Sequence, residues 1–190
     1  MRGLRANQLQ QAFETALDWE GYLATDPDRA SGWRDLHRQI SLTPAQQELI
    51  AGFTRTVNIL VISGIWCGDC VRQGPMIQAI GDASPCLHPR YLDRDTMPEL
   101  MDELSINGGK RVPVMIFMAE DFEPVSVAGD RTLKYYRHLA AARLGASCPV
   151  PGAKTDADLL ADTTQDWLDE VERVHLLLRL SGRLRQRHGD

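Results

Sequence analysis

The apolar positions of this chain follow two rhythms. From Gln8 to about Thr54 they recur every three or four residues, as at Leu9, Phe13, Ala16 and Leu17, and nothing alternates with period two. That spacing gathers apolar side chains on one side of a helix, so residues 1–54 are expected to form a helical prefix, broken once at Asp26-Pro27-Asp28. The stretch "TPAQ" restarts it, with Thr43 as N-cap, Pro44 in the first helical position and Gln46 closing a capping box, and this last helix is expected to end near Phe53.

The rhythm then changes. Val57 to Ile62, "VNILVI", is a short run of branched apolar residues that suits a strand buried on both faces. From Gly68 to about Ile80 the apolar residues Val71, Met76, Ile77 and Ile80 share a helical face, and Pro75 is expected to kink that helix. A weaker strand signal covers Leu87 to Leu92. A helix follows from Thr96 to Leu104, with Thr96 and Glu99 as a capping box, and Asn107-Gly108-Gly109 stops it. Val112 to Met118 is a second buried strand, Pro124 to Val127 its hairpin partner across an acidic turn, and Thr132 to Leu144 a helix. This order predicts an α/β sheet with parallel strands in its first half and an antiparallel hairpin in its second. After the loop "ASCPVPGAKT", a long helix from about Asp156 to Arg179 carries the apolar face Trp167, Leu168, Val171, Val174, Leu177 and Leu178. Such a face needs a partner, either the body of the protein or a second copy across a homodimer seam. The expected division is a helical extension (1–54), a central domain (55–145) and a C-terminal loop and helix packed on it (146–190).

Composition narrows the class more than it identifies it. A chain of 190 residues with 43% apolar and 25% charged residues is an ordinary globular protein with no repeat. A net charge of -5 argues against nucleic acid as a partner, and the basic tail "RLSGRLRQRHGD" is expected to complement a helix C-terminus. No stretch has the apolar core of a secretory signal or the length of a membrane span, so the expected location is cytoplasmic. Thiols stay reduced there, which makes a close cysteine pair catalytic or metal-binding rather than structural.

That pair is Cys67-Gly68-Asp69-Cys70, in "IWCGDC". A strand ending at Gly64 and a helix starting at Cys67 place the first sulfur at unpaired amides and the positive end of a helix dipole, which favours a thiolate. Cys70 lies one turn inward on the same face, close enough to attack a mixed disulfide formed on Cys67. Gly68 lets another chain approach, and Trp66 offers a flat apolar wall. Zinc would need four converging ligands drawn from Cys67, Cys70, Cys86, Cys148, His88 and His138, and the spacing supplies no second knuckle, so no metal is expected. Isolated Cys86 and Cys148 are expected to be passive apolar residues, with a bridge between them or a relay to Cys67 left open. His138 and His175 are expected at the surface or its boundary.

Together, Trp66-Cys67-Gly68-Asp69-Cys70 after a buried strand, Pro75 inside the next helix, and Val112-Pro113-Val114 before a later strand resemble the thioredoxin family. The resemblance covers about Val57 to Leu144. It implies a thioredoxin fold with N- and C-terminal helical extensions, and a thiol–disulfide oxidoreductase without a cofactor. Cys67 would be the attacking cysteine, Cys70 the resolving one, and Pro113 a cis-proline facing the sulfurs, leaving the Val112 backbone to pair with substrate. The implied partners are a disulfide-containing protein or small molecule and an electron donor such as a thioredoxin reductase or glutathione. Two positions depart from the pattern: Val61 stands where reducing members keep a buried carboxylate, and Asp69 where many have proline. Asp69 is expected to disfavour thiolates by repulsion and to take over part of the proton handling. The competing reading is a non-catalytic interaction module, which would be favoured if a helical extension covered Cys67.

Overall fold

The computed structural model describes residues 3–144 and 156–190. At its centre is a four-stranded sheet in the order β2-β1-β3-β4, formed by β1 (Val57–Ser63), β2 (Leu87–Asp93), β3 (Val114–Met118) and β4 (Pro124–Gly129). β1 and β2 run parallel from Val57↔Leu87 to Ser63↔Asp93, whereas β1–β3 and β3–β4 are antiparallel. Every residue of β1 and β3 is buried. Because successive side chains point to opposite faces, both faces of these strands are covered, which is what their unbroken apolar runs require.

The prefix is more interrupted than its periodicity suggests. It forms α1 (Ala6–Thr15), α2 (Trp19–Leu23), α3 (Pro27–Gln39) and α4 (Pro44–Ala51). Between α1 and α2 the chain turns extended, and Leu17 exchanges two backbone hydrogen bonds with Tyr91, at 2.9 and 2.8 Å, along the edge of β2. Asp18 then caps α2 through the Gly21 amide at 2.8 Å, a break that apolar spacing alone does not reveal. The Thr43–Gln46 capping box forms, and α4 ends two residues before Phe53.

In the central part, α5 spans Gly68–Asp82 and α7 spans Leu133–Leu144. The helix α6 (Pro98–Glu103) starts later than Thr96. Pro98 takes the first helical position, Met97 becomes the N-cap, and the Thr96 amide turns back to the Asp93 carbonyl at 3.0 Å, so the expected box with Glu99 does not form.

The long helix α8 (Asp156–Leu180) packs against α7 and α5, and Trp167, Leu168, Val171, Val174 and Leu178 are buried along it, whereas Leu177 is exposed. The chain does not end there. Ser181 caps a further helix, α9 (Gly182–His188), whose basic residues answer the acidic turn between β3 and β4: Arg183 pairs with Asp121, and Arg187 with Glu120 at 2.9 Å. The tail is therefore held by ion pairs to the domain rather than by one helix dipole. His175 is buried, not at the surface. Its ring stacks on Phe53 at 4.4 Å, and Nε2 accepts the amides of Thr54 (2.9 Å) and Arg55 (3.2 Å), clipping α8 to the segment entering β1. Cys148 and its loop lie outside the described residues. Among those described, no helix is long and apolar enough to cross a membrane.

Candidate functional site: a dithiol at the end of β1

β1 delivers the chain to Gly64-Ile65-Trp66, and Cys67 follows as the N-cap of α5. A β-carbon on Gly64 would sit 2.8 Å from the Trp66 indole, so the glycine lets that ring fold back over the strand end. The prefix supplies the brace behind it. Trp33 of α3, fully buried, donates its indole N–H to the Ile65 carbonyl at 3.1 Å, and its ring fills the space beside Gly74, where a β-carbon would come within 2.3 Å. Residues far apart in sequence thus fix both the loop before Cys67 and the helix after it. Pro75 lies inside α5, which continues past it.

The two thiols sit in different surroundings. Cys67 is partly exposed and Cys70 is buried; both are free. As a thiol, Cys67 donates to the Val112 carbonyl at 3.7 Å, across the cis Val112–Pro113 bond. Trp66 is 46% exposed beside it, with the Arg94 guanidinium 4.7 Å above its ring. Nothing lies within 4 Å of a β-carbon built on Gly68, so that flank is open. Cys67 is therefore reachable from solvent.

The environment separates their acidities. The Cys70 thiol hydrogen bond, helped by the Cys70 and Asp69 amides, draws Cys67 down to about 6 against the opposing effects of burial and the Asp69 charge. Burial, and then the hydrogen bond to Cys67, push Cys70 far up. At neutral pH the outer sulfur is a thiolate and the inner one a thiol.

Asp69 is not a bare carboxylate. Arg131 pairs with it and Tyr135 donates to it at 3.3 Å. Arg131 also reaches Asp130 at 3.1 Å, and Asp130 receives Arg111 at 3.3 Å and the Tyr136 hydroxyl. This network ties the cysteine turn to the residue before Val112 and to the β4–α7 connection. No local pattern in the sequence announces Arg131, Trp33 or Arg94, because each reaches the site from another element.

The remaining candidates lie elsewhere. The Val57 amide binds the Cys86 carbonyl at 2.8 Å, which places Cys86 at the start of β1 and Cys67 beyond its end. Seven strand residues separate the two sites by about 20 Å, too far for Cys86 to relay electrons to Cys67. Among the described residues, no three His, Cys, Asp or Glu side chains converge as metal ligands.

A mixed four-stranded sheet, a cysteine pair at the start of the helix after its first strand, and a cis-proline opposite define an α/β protein of thioredoxin fold. A family profile described as Thioredoxin matches residues 16–142, more than half of the sequence, and the chain belongs to the thioredoxin family. Among solved structures it is similar to a protein of unknown function from Pseudomonas aeruginosa, at 14% identity and a TM-score of 0.66, covering 86% of this chain and 93% of that one. It is also similar to an HIV epitope-scaffold, at 13% identity and a TM-score of 0.65, covering 87% and 95%. At these identities the likeness is one of fold. No curated protein matches the sequence.

Proposed function

We propose that the protein is a thiol–disulfide oxidoreductase that reduces disulfides through Cys67 and Cys70. The observation that carries this reading is the asymmetry of the pair: an accessible sulfur drawn down to about 6 above a buried thiol held protonated. The Cys67 thiolate attacks one sulfur of the substrate disulfide, and that bond breaks as the Cys67–substrate bond forms. Cys70 loses its proton and attacks Cys67, the substrate leaves as a thiolate, and a Cys67–Cys70 disulfide remains. Two electrons have passed to the substrate. An external donor of the thioredoxin reductase or glutathione kind returns them, so the cycle suits a reducing compartment such as the cytoplasm and needs no bound cofactor. The Val112 backbone, already facing Cys67, is where an extended segment beside the substrate disulfide would pair. Trp66 and the open flank at Gly68 favour substrate access, which speaks against a closed scaffold.

The test is reduction of a chromogenic aromatic disulfide by the full-length protein. Cys70→Ser is expected to stop after one equivalent and hold a mixed disulfide visible by mass, and Cys67→Ser to abolish the reaction. Turnover that survives Cys67→Ser would overturn the reading.

A further inference from the structure

Release of substrate requires the buried Cys70 thiol to lose a proton where no solvent reaches it. We propose that the hydroxyls of Ser63 and Tyr22 relay that proton from Cys70 to the carboxylate of Asp93; this rests on the dithiol reading above.

Ser63 closes β1, has no exposed surface, and its hydroxyl is a neighbour of Cys70. Tyr22 comes from α2 in the prefix and is 2% exposed, stacked on Tyr91 at 5.3 Å and edge-on to Trp33 at 5.4 Å between centroids. These rings hold its hydroxyl beside Ser63, with the charges of Cys70, Asp93 and Cys67 near enough to act on it. In the resting dithiol neither hydroxyl completes a well-formed hydrogen bond, although Ser63 lies beside both Tyr22 and Cys70. Two buried, unpartnered hydroxyls cost stability, and Ala and Phe would fill the same space without that cost. Asp93 is the register partner of Ser63 across the parallel β1–β2 ladder, so the two side chains leave the same face of the sheet. Its partial exposure opens the far end of the path to water.

The step balances without a redox change at either hydroxyl. The Cys70 proton goes to Ser63 Oγ as the Ser63 proton moves to Tyr22 Oη, and the Tyr22 proton passes to Asp93. The electron pair left on Cys70 forms the Cys67–Cys70 bond while the substrate sulfur departs with the pair of the bond it loses. Ser63 and Tyr22 act through Cys70 and do not touch substrate. The helical prefix would thus contribute a working group to the site as well as packing.

Stopped-flow reaction of the full-length protein with dithiobis(nitrobenzoate) separates the two stages, since the first nitrothiolate leaves on Cys67 attack and the second on Cys70 attack. Tyr22→Phe and Ser63→Ala should each slow the second release about tenfold or more near pH 7 and leave the first unchanged, a loss within reach of general acid–base effects. The deficit should shrink as pH rises and hydroxide takes the proton, whereas a purely structural defect would persist at all pH. Asp93→Asn should give the same pattern. Second-phase rates within about twofold of the unmodified protein at every pH, or equal slowing of both phases, would overturn the relay. If one variant fails to fold, as judged by melting, the other carries the test. An unmodified protein with no second phase would instead remove the dithiol reading and the relay with it.

Discussion

One helical turn separates Cys67 from Cys70, and burial makes them chemically unlike. The rate of Cys67 alkylation should rise with pH around a midpoint near 6, with Cys70 silent until the protein is unfolded. A midpoint in the ordinary thiol range would mean that the helix amides and Cys70 do not stabilise the thiolate. Asp69 pulls the other way, and Arg131 neutralises it. Removing the cation by Arg131→Met should raise the Cys67 pKa and make the pair more reducing, by up to about 30 mV, tenfold in the exchange equilibrium. Asp69→Asn should do the reverse, and the double variant should return close to the starting value because the two charges act on the same sulfur. A potential unchanged in both single variants would show that the ion pair is uncoupled from Cys67.

At the scale of elements, α3 and α8 hold the site from opposite ends of the chain. The Trp33 ring occupies the space a side chain at Gly74 would need, so Gly74→Ala should cost about 1–3 kcal/mol through overpacking between α3 and α5. Urea denaturation checks this, and an unchanged midpoint would mean that α3 moves freely. His175 sets an acid limit. Burial, followed by the charges of Arg179 and Arg55, lowers its pKa from 6.5, and its Nε2 accepts two amides only when neutral. The unfolded chain takes up the proton first, so this contribution is complete above pH 6.5 and is lost as pH falls below it. The melting temperature should therefore drop between pH 7 and about 5, and His175→Gln should flatten that part of the curve. A melting temperature that is constant over this range would contradict the clip.

Over the whole molecule, the sequence exposed what local spacing controls. The buried runs of β1 and β3, the helix after Cys67, the Thr43 cap and the cis-proline position are all local signals, and together they specify the thioredoxin fold. The shifted start of α6 is local and is set by Pro98, whereas the extended break at Leu17 and the burial of His175 depend on partners up to 121 positions away, which no window of sequence contains. The site divides in the same way: Trp66, Cys67 and Cys70 share one short motif and Pro113 marks a second, whereas Arg131, Trp33 and Tyr22 arrive only through folding. All of it converges on one claim, that Cys67 and Cys70 exchange two electrons. The most direct measurement is the reduction potential of the pair, by equilibration in glutathione or dithiothreitol buffers and thiol trapping, with Cys86→Ser and Cys148→Ser to isolate it. The account predicts a single reversible two-electron transition between about -270 and -200 mV, toward the reducing end of this class. A pair that stays reduced in fully oxidised glutathione would contradict it.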